Sequence, residues 1–395
     1  MFSSRTPADL TPNRLAEALS EAKAAGRRLL DLTESNPTRA GFDYPADLLR
    51  PLSDRRALTY TPTPFGLAEA RLAVARDFAR RGVQLSPERI VLTASTSEAY
   101  ACLFKLLTDA GDEVLVPTPS YPLFDHLARL DQVVARPYSL DVECGWRIDF
   151  DSLRGALTSR SRAILVVSPN NPTGSFVKPD ELEQLVEVAA AQELALVVDE
   201  VFSDYELIPG ARAAAGLVAN RTDVLSFSLG GLSKSVGLPQ VKLSWIGAAG
   251  PTELVGPALD RLELICDTYL SVSTPAQIAT GELLSRGAPI REQIARRVSA
   301  NYRALAQRVN EMPACRVVPS EGGWYGVLEV PSLESEEVLV LELLRKDGVL
   351  VHPGYFFDFP KETYLIVSLL AAEASFDEGV DRILRRFDYA VASRE

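Results

Sequence analysis

A lysine on a glycine-rich turn is the residue of this sequence best suited to covalent chemistry. Lys234 lies in the stretch SFSLGGLSKSVGLPQVKLSWIG, residues 226–247, among small and hydroxyl-bearing residues and between two apolar segments. Glycines allow the backbone to turn tightly and leave space beside it for a bulky ligand. Because a lysine amine can form a Schiff base with an aldehyde, the turn is a candidate site for a carbonyl ligand.

Three other polar stretches follow segments that have the composition of strands. They are TASTSEAY (93–100), SPNNPTG (168–174) and VVDEVF (197–202). In open α/β sheets ligands bind at the carboxyl ends of the strands, so these stretches and the lysine turn are predicted to meet. Each also has an ordinary structural explanation, which is a helix cap for the first and third stretches and a plain turn for the second.

Pyridoxal phosphate is the cofactor whose requirements match all four stretches. It needs a lysine for the Schiff base, an acid that keeps its pyridine nitrogen protonated, a phosphate site and a donor to its phenolate oxygen. Lys234, Asp199, the hydroxyl turn 95–97 and Asn171 supply these groups. Backbone amides at the start of the helix that follows this turn would bind the phosphate, helped by the helix dipole.

The segments that carry these residues alternate between strand-like and helix-like patterns. RAILVVSPN (162–170), LALVVDE (194–200) and DVLSFSLG (223–230) are apolar runs without a two-residue period, and helical segments lie between them. Such runs are typical of parallel strands that are buried on both faces. We therefore predict an α/β fold, with a large three-layer domain around a mainly parallel sheet.

The C-terminal third of the chain has a different pattern. REQIARRVSANYRALAQRVNEM (291–312) has apolar residues three or four apart and predicts one long amphipathic helix. Shorter strand-like and helical segments follow, and SFDE (375–378) has the pattern of a capping box at the start of a last helix. These features predict a large cofactor-binding domain over 46–285 and a smaller α+β domain over 286–395, which the segment 1–45 joins.

The composition restricts the classes of partner and the compartment. The 395-residue chain has 47% hydrophobic residues and a formal net charge of −12, which argues against nucleic acid as a partner. Its four cysteines are widely spaced and it has two histidines, so we expect no disulfide framework, zinc site or other metal centre. No apolar run reaches membrane-spanning length, and the N-terminus lacks the apolar core of a signal peptide. A cytoplasmic location is therefore expected.

Seven stretches of the chain occur in an order that a known family shares. They are YTPTPFGLAEAR (60–71), LTASTSEAY (92–100), GDEVLVPTPSYP (111–122), SPNNPTG (168–174), VVDEVF (197–202), LSKSVGLP (232–239) and EGGWYGVLEV (321–330). With them, nearly the whole chain resembles the class I/II aminotransferases, the fold-type I pyridoxal-phosphate enzymes related to aspartate aminotransferase. The 35-residue interval from Asp199 to Lys234 also suits that family.

The resemblance implies a role for each matching residue. Lys234 would hold the cofactor as a Schiff base and move the proton at the substrate Cα, and Asp199 would pair with the pyridine nitrogen. Asn171 would donate to the phenolate oxygen, and Tyr121 would stack on the ring. Tyr60 would reach the phosphate of a second subunit, in a homodimer with shared active sites. The residues expected at the phosphate are Ser95, Thr96, Ser97, Ser233, Lys242 and Tyr60.

Four positions depart from the family pattern. Phe202 stands where the family has a tyrosine that also donates to the phenolate oxygen. Phenylalanine cannot donate this hydrogen bond, so it is lost unless Tyr205 supplies it. Gly231 replaces a serine, and Lys242 replaces an arginine, which keeps the charge without the two-pronged grip on phosphate. In YLIVS, residues 364–368, Ile366 stands where the family's arginine binds the substrate α-carboxylate.

The absence of that arginine leaves the substrate open. The loop ESNPTRAGF (34–42) corresponds to a family loop that borders the substrate, so Asn36 and Arg39 are candidates for binding it, with a solvated loop as the alternative. We expect an aminotransferase that moves an amino group between an amino acid or amine and a 2-oxo acid by a ping-pong mechanism. The alternatives are a β-eliminating lyase, a decarboxylase or a racemase on the same apparatus, and a non-catalytic cofactor-binding sensor.

Overall fold

The computed structural model describes residues 2–392. The strands are β1 Leu30–Asp31, β2 Ile90–Thr93, β3 Glu113–Thr118, β4 Val134–Asp141, β5 Arg147–Ile148, β6 Ser161–Val167, β7 Ala195–Asp199, β8 Ser226–Gly231, β9 Ser244–Ala249, β10 Arg316–Val318, β11 Tyr325–Glu329, β12 Val349–Leu350, β13 His352–Pro353 and β14 Tyr364–Ser368. The α-helices are α1 Arg14–Ala24, α2 Ala68–Arg80, α3 Thr96–Leu107, α4 Leu123–Leu130, α5 Phe150–Ala156, α6 Pro179–Ala191, α7 Leu232–Ser235, α8 Thr252–Tyr269, α9 Thr274–Arg286, α10 Ala288–Asn310, α11 Glu336–Glu342 and α12 Glu373–Ala392. In this range, none of the helices is long and apolar enough to cross a membrane.

An eight-stranded sheet forms the centre of the fold, in the order β2-β9-β8-β7-β6-β3-β4-β5. The strands from β8 through β7, β6 and β3 to β4 run parallel to one another. β9 is antiparallel to both of its neighbours, and the edge strand β5 is antiparallel to β4. The predicted α/β fold with a mainly parallel sheet is confirmed.

Helices on both faces of this sheet explain why its strands are apolar throughout. Val197 of β7 belongs to a buried cluster that includes Leu103 of α3 and Leu262 of α8. Its neighbour Val198 points to the opposite face and belongs to a second cluster with Leu185 of α6. All five residues of β7 are buried, so the strand has no polar face to present to water.

The strand ends at one edge of the sheet position the predicted site. β7 ends at Asp199, and β8 ends at Gly231, directly before the short helix α7 that carries Lys234. β9 begins at this same edge, where Ser244 pairs with Gly231 on one side and with Thr93 of β2 on the other. The start of α3, which follows Thr93, is therefore brought to the edge that carries the lysine.

The C-terminal part of the chain contains a four-stranded antiparallel sheet, in the order β10-β11-β14-β13. The predicted long helix is α10, and Ile294, Val298 and Leu305 on its apolar face are fully buried. The N-terminal segment attaches here, because β1 pairs in parallel with β12 and the hydroxyl of Ser368 donates to the carbonyl of Glu34. Positions 45 and 285 as domain boundaries stay a prediction.

The predicted start of the last helix is wrong. α12 already begins at Glu373, and the N–H of Phe376 donates to the carbonyl of Ala372 at 2.8 Å, so SFDE lies inside the first turns. Glutamate and alanine at 373–374 favour helix, which extends the helix back past the serine. The capping-box pattern is local and does not by itself exclude such an extension.

Candidate active site

Lys234 is half-buried, in a pocket with an aromatic wall. Its Nζ is 4.6 Å from the centroid of the Trp324 ring and 5.4 Å from that of the Phe202 ring. Burial lowers the pKa of the amine to about 8, although the charge of Asp199 acts in the opposite direction and raises it. Within residues 2–392 the amine has no hydrogen-bond partner. An amine with such a pKa is partly unprotonated near neutral pH and can act as a nucleophile or a base.

Asp199 is the anionic group of the pocket. The Val201 N–H donates to its Oδ1 at 3.1 Å, and the hydroxyl of Tyr100 donates to its Oδ2 at 3.0 Å. Burial raises the pKa of the Asp199 carboxyl, while these two hydrogen bonds and the charge of Lys234 lower it. Asp199 and Lys234 attract each other without an ion pair or hydrogen bond between them.

The turn SPNNPTG uses one asparagine for its own structure and leaves the other free. Nδ2 of Asn170 donates to the Pro119 carbonyl at 3.1 Å and to Oγ1 of Thr173 at 2.9 Å. Asn171 is buried, and its Oδ1 has no partner among the residues that the structure describes. A buried amide oxygen without a hydrogen bond is unfavourable, so this side chain is suited to a polar ligand rather than to a plain turn.

The same turn connects Asp199 with the segment that carries Tyr121. The Ser168 N–H donates to the Asp199 carbonyl at 2.9 Å, and Asn170 holds the residues that precede Tyr121. Tyr121 is 41% exposed, and burial together with the charge of Asp199 raises the pKa of its phenol. The structure therefore brings Lys234, Asp199, Asn171 and Tyr121 to one edge of the sheet.

The start of α3 combines an ordinary helix cap with free amides. Oγ of Ser95 accepts the N–H of Glu98 at 3.1 Å, and its carbonyl accepts the N–H of Ala99 at 3.0 Å. The N–H groups of Thr96 and Ser97 precede this first helical bond and have no acceptor in the part of the chain that the structure describes. Free amides at the N-terminus of a helix form an anion site.

Gly231 has a steric reason to depart from serine. A Cβ at this position would lie 2.3 Å from Oγ of Ser244, its cross-strand partner. The Ser244 hydroxyl thus fills the volume that a side chain at 231 would need. Ser233 is half-buried on α7, next to Lys234, and its role at the phosphate stays a prediction.

Phe202 and Tyr205 both pack against Trp324, with ring centroids 5.2 Å from it in each case. The hydroxyl of Tyr205 donates to the backbone carbonyl of Lys234 and so supports the turn at the lysine. For Tyr205 to substitute for the family's tyrosine, this hydroxyl would have to leave that carbonyl. The Phe202 ring has no hydroxyl and closes the pocket with an apolar edge.

Four of the predicted site residues form no hydrogen bond or ion pair with Lys234. Lys242 and Arg39 are exposed, and the Tyr60 side chain is 65% exposed. Oδ1 of Asn36 accepts the hydroxyl of Thr38 at 2.7 Å and its N–H at 3.1 Å, which fixes the turn that leads to Arg39. Their roles at the site stay predictions.

Ile366 is fully buried in the four-stranded sheet. It pairs with Val327 of β11 on one side and with His352 of β13 on the other. Burial lowers the pKa of the His352 imidazole against the charge of Asp31, so this neighbour is neutral at physiological pH. The cross-strand neighbours of Ile366 therefore provide no cation in place of the missing arginine.

Sequence reasoning missed two residues that contact the site, Tyr100 and Trp324. Tyr100 is on the buried face of α3, in a stretch that was interpreted only for its first hydroxyls. A buried tyrosine needs a partner for its hydroxyl, and this was the available signal. Trp324 belongs to the quoted stretch EGGWYGVLEV, but its contact with Lys234 depends on the packing of two distant segments.

Comparison with known proteins finds relatives along most of the chain. A family model described as aminotransferase class I and II matches residues 27–383. The alanine aminotransferase of Mycobacterium tuberculosis is 29% identical over 381 residues, which cover 91% of this chain and 86% of that protein. The glutamate-pyruvate aminotransferase AlaA of Escherichia coli K12 is 27% identical over 366 residues, 89% of both chains. A solved alanine aminotransferase from Pyrococcus furiosus has the same fold, with a TM-score of 0.88 and 24% identity. The match covers 98% of this chain and 100% of that one.

Replacing Lys234 with methionine should stabilise the cofactor-free protein at neutral pH. The pKa of the Lys234 amine is about 8 in the folded protein and 10.5 in the unfolded chain. Between pH 8 and pH 10.5 the unfolded chain therefore binds a proton that the folded protein does not, and the stability of the wild type rises with pH. The advantage of Lys234→Met should reach up to about 3 kcal/mol below pH 8 and shrink towards pH 10.5. Urea unfolding across this range measures it, with the exposed Lys242→Met as control. An advantage that stays constant with pH would contradict the lowered pKa of the Lys234 amine.

Proposed function

The chain belongs to the class I and II aminotransferases, and we propose that Lys234 carries pyridoxal 5'-phosphate while the enzyme moves an amino group between an amino acid or amine and a 2-oxo acid. The observation that carries this proposal is that the half-buried Lys234 and the buried Asp199 attract each other without an ion pair. A ligand with an aldehyde at one end and a basic ring nitrogen at the other satisfies both groups.

The residues around the lysine fit this cofactor. When bound, pyridoxal phosphate withdraws electrons from the substrate Cα and stabilises a carbanion there. Asp199 would hold a proton at the ring nitrogen, Asn171 would donate from Nδ2 to the phenolate oxygen, and Tyr121 would lie against the ring. Nζ of Lys234, whose pKa is about 8 in the free amine, would take the proton from the substrate Cα and return it.

We assign the phosphate to the start of α3. The free N–H groups of Thr96 and Ser97 and the positive end of the helix dipole supply the anion site. Ser95 orients these amides through its cap, and Ser233 adds a hydroxyl from the lysine turn. Lys242 contributes charge from the surface.

A second copy of the chain completes the proposed site. Tyr60 belongs to a set of exposed large apolar residues, and such side chains on a soluble enzyme favour a protein partner. The residues of this set that we place in the interface are Leu58, Tyr60, Leu264, Tyr269 and Leu270. In the homodimer, Tyr60 would reach the phosphate bound by the partner.

The proposed substrates are a small amino donor and a 2-oxo acid. Relatives with 27–29% identity are named for alanine, glutamate and pyruvate, but this chain has the buried, uncharged Ile366 where the resemblance places an arginine for the α-carboxylate. The net charge of −12 argues against nucleic acid, and a cytoplasmic location stays a prediction. A lyase, decarboxylase or racemase would use the same lysine and acid.

Borohydride reduction of the purified holoenzyme should attach the cofactor to Lys234 alone, as read by peptide mapping. Lys234→Ala should abolish turnover, while Lys242→Ala should keep the adduct and weaken cofactor binding. Donor amino acids should give one keto acid for each cofactor converted to its amino form. Ammonia or carbon dioxide released instead would favour the lyase or decarboxylase, and an adduct on another lysine would refute the site.

Replacing Phe202 with tyrosine should lower the pH at which the visible absorbance of the holoenzyme changes. The centroid of the Phe202 ring lies 5.4 Å from the lysine amine. A hydroxyl on this ring would donate to the cofactor's phenolate oxygen and stabilise its negative charge. The control is Phe356→Tyr, at a half-buried phenylalanine of the 3₁₀ helix Gly354–Phe357. An unchanged titration would mean that another donor, such as Tyr205, already occupies the position.

If Arg39 binds the donor carboxylate, Arg39→Ala should raise KM for α-amino acids by about a hundredfold, because a charge-assisted pair is lost. The KM for an amine without a carboxylate should barely change. Arg55→Ala removes another exposed arginine and is the matched control. If the native enzyme prefers amines, the absence of an arginine at position 366 accounts for it. Strong use of α-amino acids that survives Arg39→Ala would contradict both forms of this hypothesis.

A further inference from the structure

We propose that Tyr100 is a positioning residue whose hydroxyl keeps Asp199 anionic, so that the proton shared between Asp199 and the cofactor's ring nitrogen stays on the ring. The inference rests on the proposed function, because it concerns how Asp199 acts on the cofactor. It assigns to this chain a residue outside the set that the sequence motifs identified.

The geometry fixes the Tyr100 hydroxyl on one oxygen of Asp199. The hydroxyl lies 3.0 Å from Oδ2, while the backbone N–H of Val201 occupies Oδ1. The Tyr100 ring is buried and packs edge-on against Phe124, with centroids 5.3 Å apart, and lies 6.1 Å from the Phe104 ring. The buried ring therefore keeps its hydroxyl away from solvent and beside Asp199.

A donated hydrogen bond makes a carboxylate less basic. Asp199 is buried, and burial alone favours its protonated form. Removing the Tyr100 hydroxyl would make Oδ2 more basic, and the shared proton would move from the ring nitrogen to the carboxylate. The ring would then be uncharged and would withdraw electrons from the substrate Cα less strongly.

Tyr100 itself remains a donor throughout the working pH range. Burial, followed by the charge of Asp199, raises the pKa of its phenol well above the ordinary value. The other ionisable groups whose charges reach Asp199 within residues 2–392 are Lys234, Tyr121 and Glu200. Of these groups, none donates a hydrogen bond to the Asp199 carboxylate, so Tyr100 has no replacement among them.

The competing interpretation is that Tyr100 is an ordinary core tyrosine with a satisfied hydroxyl. Tyr138 provides the matched comparison for it. Tyr138 is also fully buried in the large domain, and its hydroxyl donates to the Leu165 carbonyl at 2.9 Å, away from the carboxylate of Asp199. Both Tyr100→Phe and Tyr138→Phe remove one buried hydroxyl and keep the ring.

The experiment compares the holoenzyme of the wild type, Tyr100→Phe and Tyr138→Phe. In Tyr100→Phe the visible absorbance change should move to higher pH, because an uncharged ring no longer repels the proton at Nζ of Lys234. The kcat should fall by about tenfold or more, and the isotope effect of deuterium at the substrate Cα should increase. Tyr138→Phe should lower the thermal midpoint while leaving the titration and the isotope effect at wild-type values.

Two results overturn the inference in distinguishable ways. In the first, the wild type titrates normally, but the pH of the absorbance change in Tyr100→Phe shifts no more than it does in Tyr138→Phe. This result refutes the role of Tyr100 and leaves the proposed function intact. A wild type that forms no cofactor adduct at Lys234 refutes the proposed function and this inference together.

Discussion

A buried carboxylate and a half-buried amine lie at neighbouring strand ends without an ion pair between them, and the rest of the site depends on this arrangement. Burial works against the charged form of both groups, as the pKa of Lys234 and that of Asp199 show. The surroundings satisfy the carboxylate with two hydrogen bonds and leave the amine unpaired. A ligand that reaches both groups recovers free energy that the cofactor-free fold does not, so its binding also stabilises the fold.

The mainly parallel sheet makes this arrangement available. Parallel strands end at one edge, so Asp199, the SPNNPTG turn and the lysine helix α7 meet there although they are far apart in sequence. The antiparallel strand β9 adds the start of α3 to the same edge, since Ser244 pairs with both Gly231 and Thr93. A single edge therefore brings together a lysine amine, a carboxylate and the free amides at the start of a helix.

The elements were predictable where one physical cause dominates a local pattern. Burial on two faces leaves continuous apolar runs, which revealed β6, β7 and β8, and a single buried stripe revealed α10. The contact between Tyr100 and Asp199 spans 99 residues and depends on the strand order, which no local pattern encodes. The start of α12 was missed because a capping pattern competes there with residues that favour helix. The residue types at the site indicated its chemistry. The roles of exposed residues such as Arg39 depend instead on contacts with a ligand, which no sequence pattern encodes.

The position of β9 between β2 and β8 has a consequence for the order in which the nascent chain can fold. Within residues 2–392, β2 has no strand partner in the sheet other than β9, so it must wait until Ser244–Ala249 has left the ribosome. Until then the segment that leads into α3 exposes the apolar strand Ile90–Thr93, which is fully buried in the finished sheet. Because such long-range pairing is slow and leaves strand edges open, the half-made chain is the form of this enzyme most exposed to aggregation and most dependent on chaperones.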